Sequence, residues 1–378
     1  MIHSLFPFSQ VIPLLKTAQR FCDLRWQACE KRRFCRRVDN PRDVDFNWTI
    51  VTNKNYYTLI LVFCLCVCCF NRDINAQRAN NGYASKQPIQ EPIVFGSGII
   101  STGEFDSHPA FMPDGKTLYF VRSTPNFNLW TILVSQFQKG KWSEPEVAPF
   151  SGQYSDADPF ITADGKRLFF ISSRPVMGKQ NQDLDIYVME KTTAGWSEPK
   201  NLGVPINSDG AEWYPTLTTD GTIYFGSDRT GGKGRTDIYR SRFADGKYAE
   251  PENLGDVINT QFNEFEPYIS PDENFLIFMC GGRTDARGGF DLYLSYNRQG
   301  AWTKPVNLGD KINSSGNEYS PMISPDGNYF FWTSVRSFAE KPLEKRMNYR
   351  ELMNKLKSPQ NGLGDIYQID LNALGIKP

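Results

Sequence analysis

Acidic residues recur at one place in a repeated pattern, three positions before a proline. Arginines recur later in each copy, after an aromatic-rich run. Carboxylates can act as acid and base in glycoside hydrolysis, bind sugars or cations, or pair with arginine. We therefore take these residues as a candidate ligand-binding set, with structural Arg–carboxylate pairing as the alternative. The set comprises Asp106, Asp156, Glu212, Glu264, Glu318, Arg122, Arg174, Arg229, Arg283 and Arg336.

A single histidine, His108, follows the N-terminal apolar segment. This excludes a zinc site built from several histidines, and no Gly-x-Ser-x-Gly elbow indicates a serine hydrolase. His108 directly precedes a repeat proline, where the other copies have Asp158, Tyr214, Glu266 and Ser320. No catalytic residue, metal or cofactor is assigned. The enzyme alternative is a glycosidase that uses carboxylates at a central channel. The available carboxylates are Asp106, Asp156, Asp158, Glu212, Glu264, Glu266 and Glu318.

The elements that position these residues are five copies of one unit, repeating about every 50 residues. The copies open at Pro109, Pro159, Pro215, Pro267 and Pro321. In four copies an Asp-Gly pair follows between two apolar runs. It predicts a tight hairpin turn, because glycine adopts the left-handed conformation without steric cost. The fourth copy has Asp272-Glu273 instead, so we expect a wider turn there.

Each copy continues with three further strand patterns. An aromatic-rich run such as Leu168-Phe-Phe-Ile171 follows the turn, and its successive apolar residues require cover on both faces. A third pattern, such as Asp237-Ile-Tyr239, precedes a fourth that contains a tryptophan or tyrosine, such as Trp302. Four antiparallel strands per unit, repeated with both faces buried, predict an all-β fold: a β-propeller of four-stranded antiparallel blades.

The fifth copy lacks a fourth strand, and a matching segment precedes the first copy. Glu91-Pro-Ile-Val-Phe-Gly96 is similar to Glu198-Pro-Lys-Asn-Leu-Gly203 of the second copy. We expect residues 88–96 to form the outer strand of the last blade and so to remove its open edge. This predicts five blades, with six as the alternative.

The complete unit reads Glu-x-x-Pro, Ser-Pro-Asp-Gly, Leu-Tyr-Phe-x-Ser-x-Arg, Asp-Ile-Tyr and Trp-x-x-Pro-x-Asn-Leu-Gly. It resembles the WD40-like (PD40) repeat of the TolB-type propeller family over residues 88–370. The resemblance implies a periplasmic or secreted bacterial envelope protein whose partner is another envelope protein or a glycan. The main functional prediction is thus a non-catalytic scaffold that binds its partner on the channel-mouth face, and the alternative is the glycosidase.

An insertion at about residues 338–361 breaks the repeat in the fifth copy. Pro342 suits a first helical turn. Apolar residues at helical spacing predict a basic amphipathic helix. It is interpreted as a lid or a docking helix, or alternatively as a solvated insertion that packs its apolar stripe on the blade. The residues of the stripe are Tyr349, Leu352, Met353 and Leu356.

The N-terminal part of the chain does not show the repeat. It contains a basic stretch and then an apolar run, an order typical of a secretory signal peptide or an uncleaved signal anchor. All cysteines except Cys280 precede residue 70, so a cleaved chain would hold one thiol. The predicted divisions are a leader with a misassigned start at 1–50, a signal segment at 51–76, a linker at 77–87 and the propeller at 88–378.

Charge composition bears on the partners. The chain has 42 Lys and Arg residues and 42 Asp and Glu residues, so its formal net charge is zero. A protein that binds duplex nucleic acid usually has a basic excess that displaces counterions from phosphates. We therefore expect no nucleic-acid partner, membrane contact only through an uncleaved signal anchor, and a monomeric propeller.

Overall fold

The computed structural model describes residues 81–176 and 183–376, which form a β-propeller. The predicted leader, the signal segment and the first part of the linker lie outside the described residues. Within the described ranges no helix is long and apolar enough to cross a membrane. The described strands build five antiparallel blades, so the all-β, five-bladed prediction is confirmed.

The strands are numbered in chain order, beginning with β1 (Ile93–Val94). Blade 1 consists of β2 (Phe105–Phe111), β3 (Thr117–Ser123), β4 (Trp130–Gln138), β5 (Lys141–Trp142) and β6 (Glu146–Val147). Blade 2 consists of β7 (Asp156–Ile161), β8 (Arg167–Ser172), β9 (Asp185–Thr192), β10 (Gly195–Trp196) and β11 (Lys200–Asn201). Blade 3 consists of β12 (Glu212–Leu217), β13 (Ile223–Ser227), β14 (Asp237–Ser241) and β17 (Glu252–Asn253), with the hairpin β15 (Phe243–Ala244) and β16 (Lys247–Tyr248).

Blade 4 consists of β18 (Asn263–Ile269), β19 (Phe275–Gly281), β20 (Phe290–Arg298), β21 (Ala301–Trp302) and β22 (Val306–Asn307). Blade 5 consists of β23 (Glu318–Ile323), β24 (Tyr329–Ser334) and β25 (Asp365–Asp370). The first strand of each blade contacts its counterparts on both sides, and β23 contacts β2. These five inner strands therefore surround a central channel.

The N-terminal strand closes the ring as expected. β1 pairs antiparallel with β25 as the outer strand of blade 5, with Ile93 opposite Gln368 and Val94 opposite Tyr367. The outer edge of β25 is therefore partly covered by a strand from the other end of the repeats, which limits edge-to-edge association.

The second strand of each blade is buried on both faces. Phe169 and Phe170 of β8 are at most 1 % exposed, and Phe330 and Phe331 of β24 are fully buried. Each large apolar side chain buried in this way contributes about 1.5–3 kcal/mol. The aromatic runs of the sequence thus supply the packing between neighbouring blades.

The wider turn expected at Glu273 is not formed. Glu273 has a φ of 60°, close to the 65° of Gly115, and its N–H donates to the Ser270 carbonyl at 2.9 Å as in the other turns. The Glu273 carboxylate accepts hydrogen bonds from the Tyr224 hydroxyl and from Arg240. Glutamate therefore adopts the glycine conformation here while it links blade 3 to blade 4.

The insertion of blade 5 contains one helix, α1 (Tyr349–Leu356). It begins after Asn348 and not near Pro342, because Asn348 and Glu351 form a reciprocal capping box. No residue of α1 is buried, and Tyr349 is 78 % exposed. The predicted apolar stripe is present, but none of its side chains is buried against the blade.

Candidate functional site

Every inner strand contains a bulge at the repeat proline. The register with the second strand shifts between Ser107 and Ala110 in blade 1 and at the equivalent place in the other blades. The residue before each proline has a φ between 49° and 54°, which non-glycine residues rarely adopt. These bulge residues are His108, Asp158, Tyr214, Glu266 and Ser320.

His108, Asp158 and Glu266 meet at the channel although they come from blades 1, 2 and 4. His108 Nε2 lies 3.0 Å from Asp158 Oδ1 and 3.6 Å from Glu266 Oε1. His108 Nδ1 lies 2.7 Å from the Ser107 hydroxyl. One imidazole nitrogen therefore contacts both carboxylates.

Each of the two carboxylates also accepts a backbone hydrogen bond from the next blade. The Tyr214 N–H donates to Asp158 Oδ2 at 2.8 Å, and the Ser320 N–H donates to Glu266 Oε2. The Tyr214 hydroxyl crosses from blade 3 to donate to the Pro321 carbonyl at 2.8 Å. These bonds hold the two carboxylates in fixed orientations, as a site for proton transfer requires.

We call Asp158 and Glu266 the acid pair. The surroundings of Asp158 and His108 shift the pKa values of these two residues. Burial raises the pKa of Asp158 to about 6; the His108 charge opposes this rise and the Glu266 charge adds to it. Burial alone would lower the pKa of His108, but Asp158 and Glu266 outweigh it and raise the pKa above its usual range. A carboxylic acid that titrates near pH 6 is suited to general-acid catalysis close to neutral pH.

The three residues lie at the wall of a cavity of about 630 Å³. This volume is within the range of small-molecule sites. Polar groups also line it, among them Asp228, Arg235 and Asn263. Much of the wall is aromatic: Phe105, Phe127, Trp130, Trp213, Phe265, Phe290 and Tyr319.

The predicted ring of acids and arginines lies elsewhere. Each of the five acids is 0 % exposed, and none of the ten side chains lines the described cavity. Four acids contact the arginine of their own blade, at 2.7 Å for Asp106–Arg122 and 3.3 Å for Glu264–Arg283. In blade 5, Arg336 instead donates to the Lys311 and Ile312 carbonyls.

The ring acids hold the loops that join one blade to the next. Glu212, for example, accepts hydrogen bonds from the Ser208 N–H and hydroxyl and from the Ser227 hydroxyl. Such saturation of a buried carboxylate supports the fold and leaves few positions for a ligand. The alternative of structural pairing agrees with this geometry. Asp158 and Glu266, which line the cavity, lie two residues further along the inner strands of blades 2 and 4.

The acid pair could have been found from a different signal in the sequence. The residue before each repeat proline differs in all five copies, whereas the residue three before it is always acidic. The residue directly before the proline therefore varies from blade to blade, whereas the acid three residues before it is part of the repeat. The cavity residues Asp228, Arg235 and Trp213 carried no comparable signal, because their place at the channel depends on the loops.

A hydrogen-bonded series Ser107–His108–Asp158 is also present. It has the residue types of a serine-hydrolase triad. Ser107 is only 2 % exposed and does not line the cavity, so its hydroxyl does not face a substrate. The arrangement is therefore read as support for the His108 ring.

No family model and no curated protein matches the chain. Solved structures do match. The α-L-arabinofuranosidase from Lactobacillus brevis has a TM-score of 0.42 and 13 % identity, covering 71 % of this chain and 91 % of that one. A thermostable family-43 glycoside hydrolase has a TM-score of 0.42 and 14 % identity, covering 65 % and 87 %. The catalytic domain of the Coprinopsis cinerea GH62 α-L-arabinofuranosidase has a TM-score of 0.43 and 13 % identity, covering 76 % and 99 %.

The main functional prediction, a non-catalytic scaffold, is corrected. The three matched structures are named as glycoside hydrolases, which is the class of the alternative prediction. In this chain, the carboxylates that line the described cavity are not equivalent around the channel: Asp158 and Glu266 flank one histidine, and the matched Arg pairs lie outside the cavity.

Proposed function

We propose that the chain is a glycoside hydrolase whose acid pair is Asp158 and Glu266. The observation that carries the proposal is the contact of both carboxylates with one His108 nitrogen at the wall of an aromatic cavity. Two carboxyl groups at a suitable separation are sufficient for glycosidic cleavage. Aromatic side chains supply flat apolar surfaces against which sugar rings can pack.

Asp158 is assigned the role of general acid. Burial raises its pKa to about 6, so a substantial fraction is protonated just below neutral pH and can protonate the leaving-group oxygen. Glu266 is assigned the role of nucleophile. Its carboxylate accepts the Ser320 N–H and lies 3.6 Å from His108 Nε2, and both contacts fix its orientation.

We assign the two acids to a double displacement. Their nearest oxygens contact the same nitrogen at 3.0 and 3.6 Å, so these oxygens lie at most about 6.6 Å apart and the carboxyl groups are close together. Retaining enzymes have their carboxyl groups about 5–5.5 Å apart, whereas inverting enzymes need about 6.5–9.5 Å to admit a water molecule. Glu266 would attack the anomeric carbon while Asp158 protonates the departing oxygen. Asp158 would then take a proton from water, which displaces Glu266 with retention.

The test is a hydrolysis assay of the full chain on a panel of 4-nitrophenyl glycosides. Asp158→Asn and Glu266→Gln should each lower kcat by a factor of about 10²–10⁴ while circular dichroism stays unchanged. Glu250→Gln, an exposed carboxylate in the loop between β16 and β17, is the matched control and should remain fully active. An inactive wild-type chain, or a Glu266→Gln variant as active as the wild type, would refute the proposal.

Export to the periplasm or beyond remains a proposal of its own. It is supported by the apolar segment within residues 51–76 and by the resemblance of the repeat to PD40 propellers. N-terminal sequencing of the protein from its natural source tests it, and a chain that begins at Met1 would contradict a cleaved signal peptide.

A further inference from the structure

Arg235 is a cation at a position where the other blades have none. It lies in the loop between β13 and β14, two residues before the third strand. The aligned residues of the other blades are Asn128, Asp183, Gly289 and Leu363. The five-fold repeat therefore does not explain this arginine, in the same way that it does not explain the acid pair.

The Arg235 side chain is exposed and lines the same cavity as Asp158 and Glu266. Within the described ranges it makes no hydrogen bond and no ion pair. The neighbouring Lys233, in contrast, contacts Asp256. The five arginines of the predicted ring bind carboxylates or carbonyls. The guanidinium of Arg235 is thus available to a molecule in the cavity.

The chemistry around Arg235 narrows the class of that molecule. Asp228 and Asn263 line the cavity beside aromatic residues, a combination suited to sugar hydroxyls and sugar faces. A planar guanidinium matches a carboxylate with two parallel hydrogen bonds. An acidic group could not lie against Asp158 and Glu266, so its place is beside Arg235.

We propose that the cavity binds a glycan that carries a carboxylate, a uronic acid residue, and that Arg235 binds this carboxylate. The proposal rests on the proposed glycoside hydrolase function, because it names the substrate class of the same site. The acid pair acts at the anomeric carbon, and Arg235 selects the sugar unit by its charge.

The test measures binding to the full chain by isothermal titration calorimetry, with two matched pairs of probes. The first pair is α-1,4-trigalacturonate and its methyl ester; the second is 4-nitrophenyl β-D-glucuronide and its methyl ester. At least one acid should bind about tenfold or more tightly than its neutral ester, as expected for a charge-assisted bidentate pair. Arg235→Gln should abolish the difference without weakening the ester, and Arg235→Lys should retain part of it.

Several outcomes would overturn the inference. These are equal affinity for acid and ester, an unchanged preference in Arg235→Gln, absence of binding for both acids, or a stronger preference for the corresponding sulfated sugar. Binding and hydrolysis are separate readouts. A uronate preference in a chain that cleaves no glycoside would refute the proposed hydrolase activity and retain the uronate site. Equal cleavage of acid and ester would refute the uronate site and retain the hydrolase activity.

Discussion

His108 of blade 1 and Asp158 of blade 2 lie 3.0 Å apart, from Nε2 to Oδ1, in the left-handed bulges of neighbouring inner strands. The contact places a base with a raised pKa beside an acid whose pKa is raised to about 6. Each group therefore controls the protonation of the other, and a change in one should be measurable in the other.

Removing His108 should move the pH dependence of activity. The imidazolium favours the ionised form of Asp158, so its loss should raise the pKa of Asp158 further. In His108→Gln the alkaline limb of the kcat/KM profile should shift to higher pH, because the general acid stays protonated for longer. Glu250→Gln should keep the wild-type profile. An unshifted alkaline limb in His108→Gln would show that His108 does not control the protonation of Asp158.

Asp365 should respond to pH through stability. In blades 3 and 4 the equivalent aspartates accept a side-chain amide from Asn253 or Asn307 of the outer strand. In blade 5 the outer strand is β1, which has Val94 at that position, and Asp365 Oδ1 is buried without a hydrogen-bond partner. Burial raises the pKa of Asp365 from 3.8 to about 7.

The sign follows from this rise. Ionised Asp365 is disfavoured in the fold, so the cost is absent below pH 4, grows through pH 4–7 and is complete above pH 7. Val94→Asn should supply the missing amide and stabilise the chain at pH 8 by about 0.5–2 kcal/mol, with little gain at pH 4. Urea unfolding at both pH values measures it. The gain should vanish when Asp365→Asn is added, and a gain independent of residue 365 would contradict the pairing.

Different parts of the molecule were predictable for different physical reasons. Blades were readable because Pro215 and the Asp220-Gly221 turn recur with every copy, and backbone geometry demands the same residue types each time. The acid pair was harder to find, because Asp158 and Glu266 share no residue type with their counterparts and meet only when the ring closes. Comparison of the copies identifies the residues that every blade requires for folding, but it does not identify residues that function in a single blade.

Deletion of residues 340–358 should leave a folded and active propeller. α1 buries no residue, and it does not line the described cavity. The base of the insertion remains closed by the Phe338 N–H, which donates to the Gln360 carbonyl at 2.7 Å, and by Asn361, whose amide donates to Gly103. We expect a change in melting temperature of only a few degrees and kcat/KM within about twofold of the wild type.

The same deletion separates the two interpretations of the helix. If α1 docks a partner, only partner binding should be lost, and Tyr349→Ser should reproduce that loss. A tenfold fall in kcat/KM for a soluble substrate would instead indicate a lid. Failure of the deleted chain to fold would show that the insertion is structural, which its lack of buried residues does not lead us to expect.

Phe127 offers a test of the aromatic wall that does not disturb the core. Its ring is 46 % exposed at the cavity, 4.7 Å from Phe105 between centroids, and its φ is 57°. An aromatic residue is strained in this conformation by about 1–2 kcal/mol, whereas glycine is not. A role of the ring at the cavity would explain why phenylalanine is present in spite of this strain. Phe127→Gly should therefore raise KM several-fold with kcat unchanged, while the melting temperature stays equal or rises. Val204→Ala, at a site 86 % exposed and outside the cavity, should change neither. A Phe127→Gly variant that loses stability but keeps its KM would show that the strained ring serves packing and not the substrate.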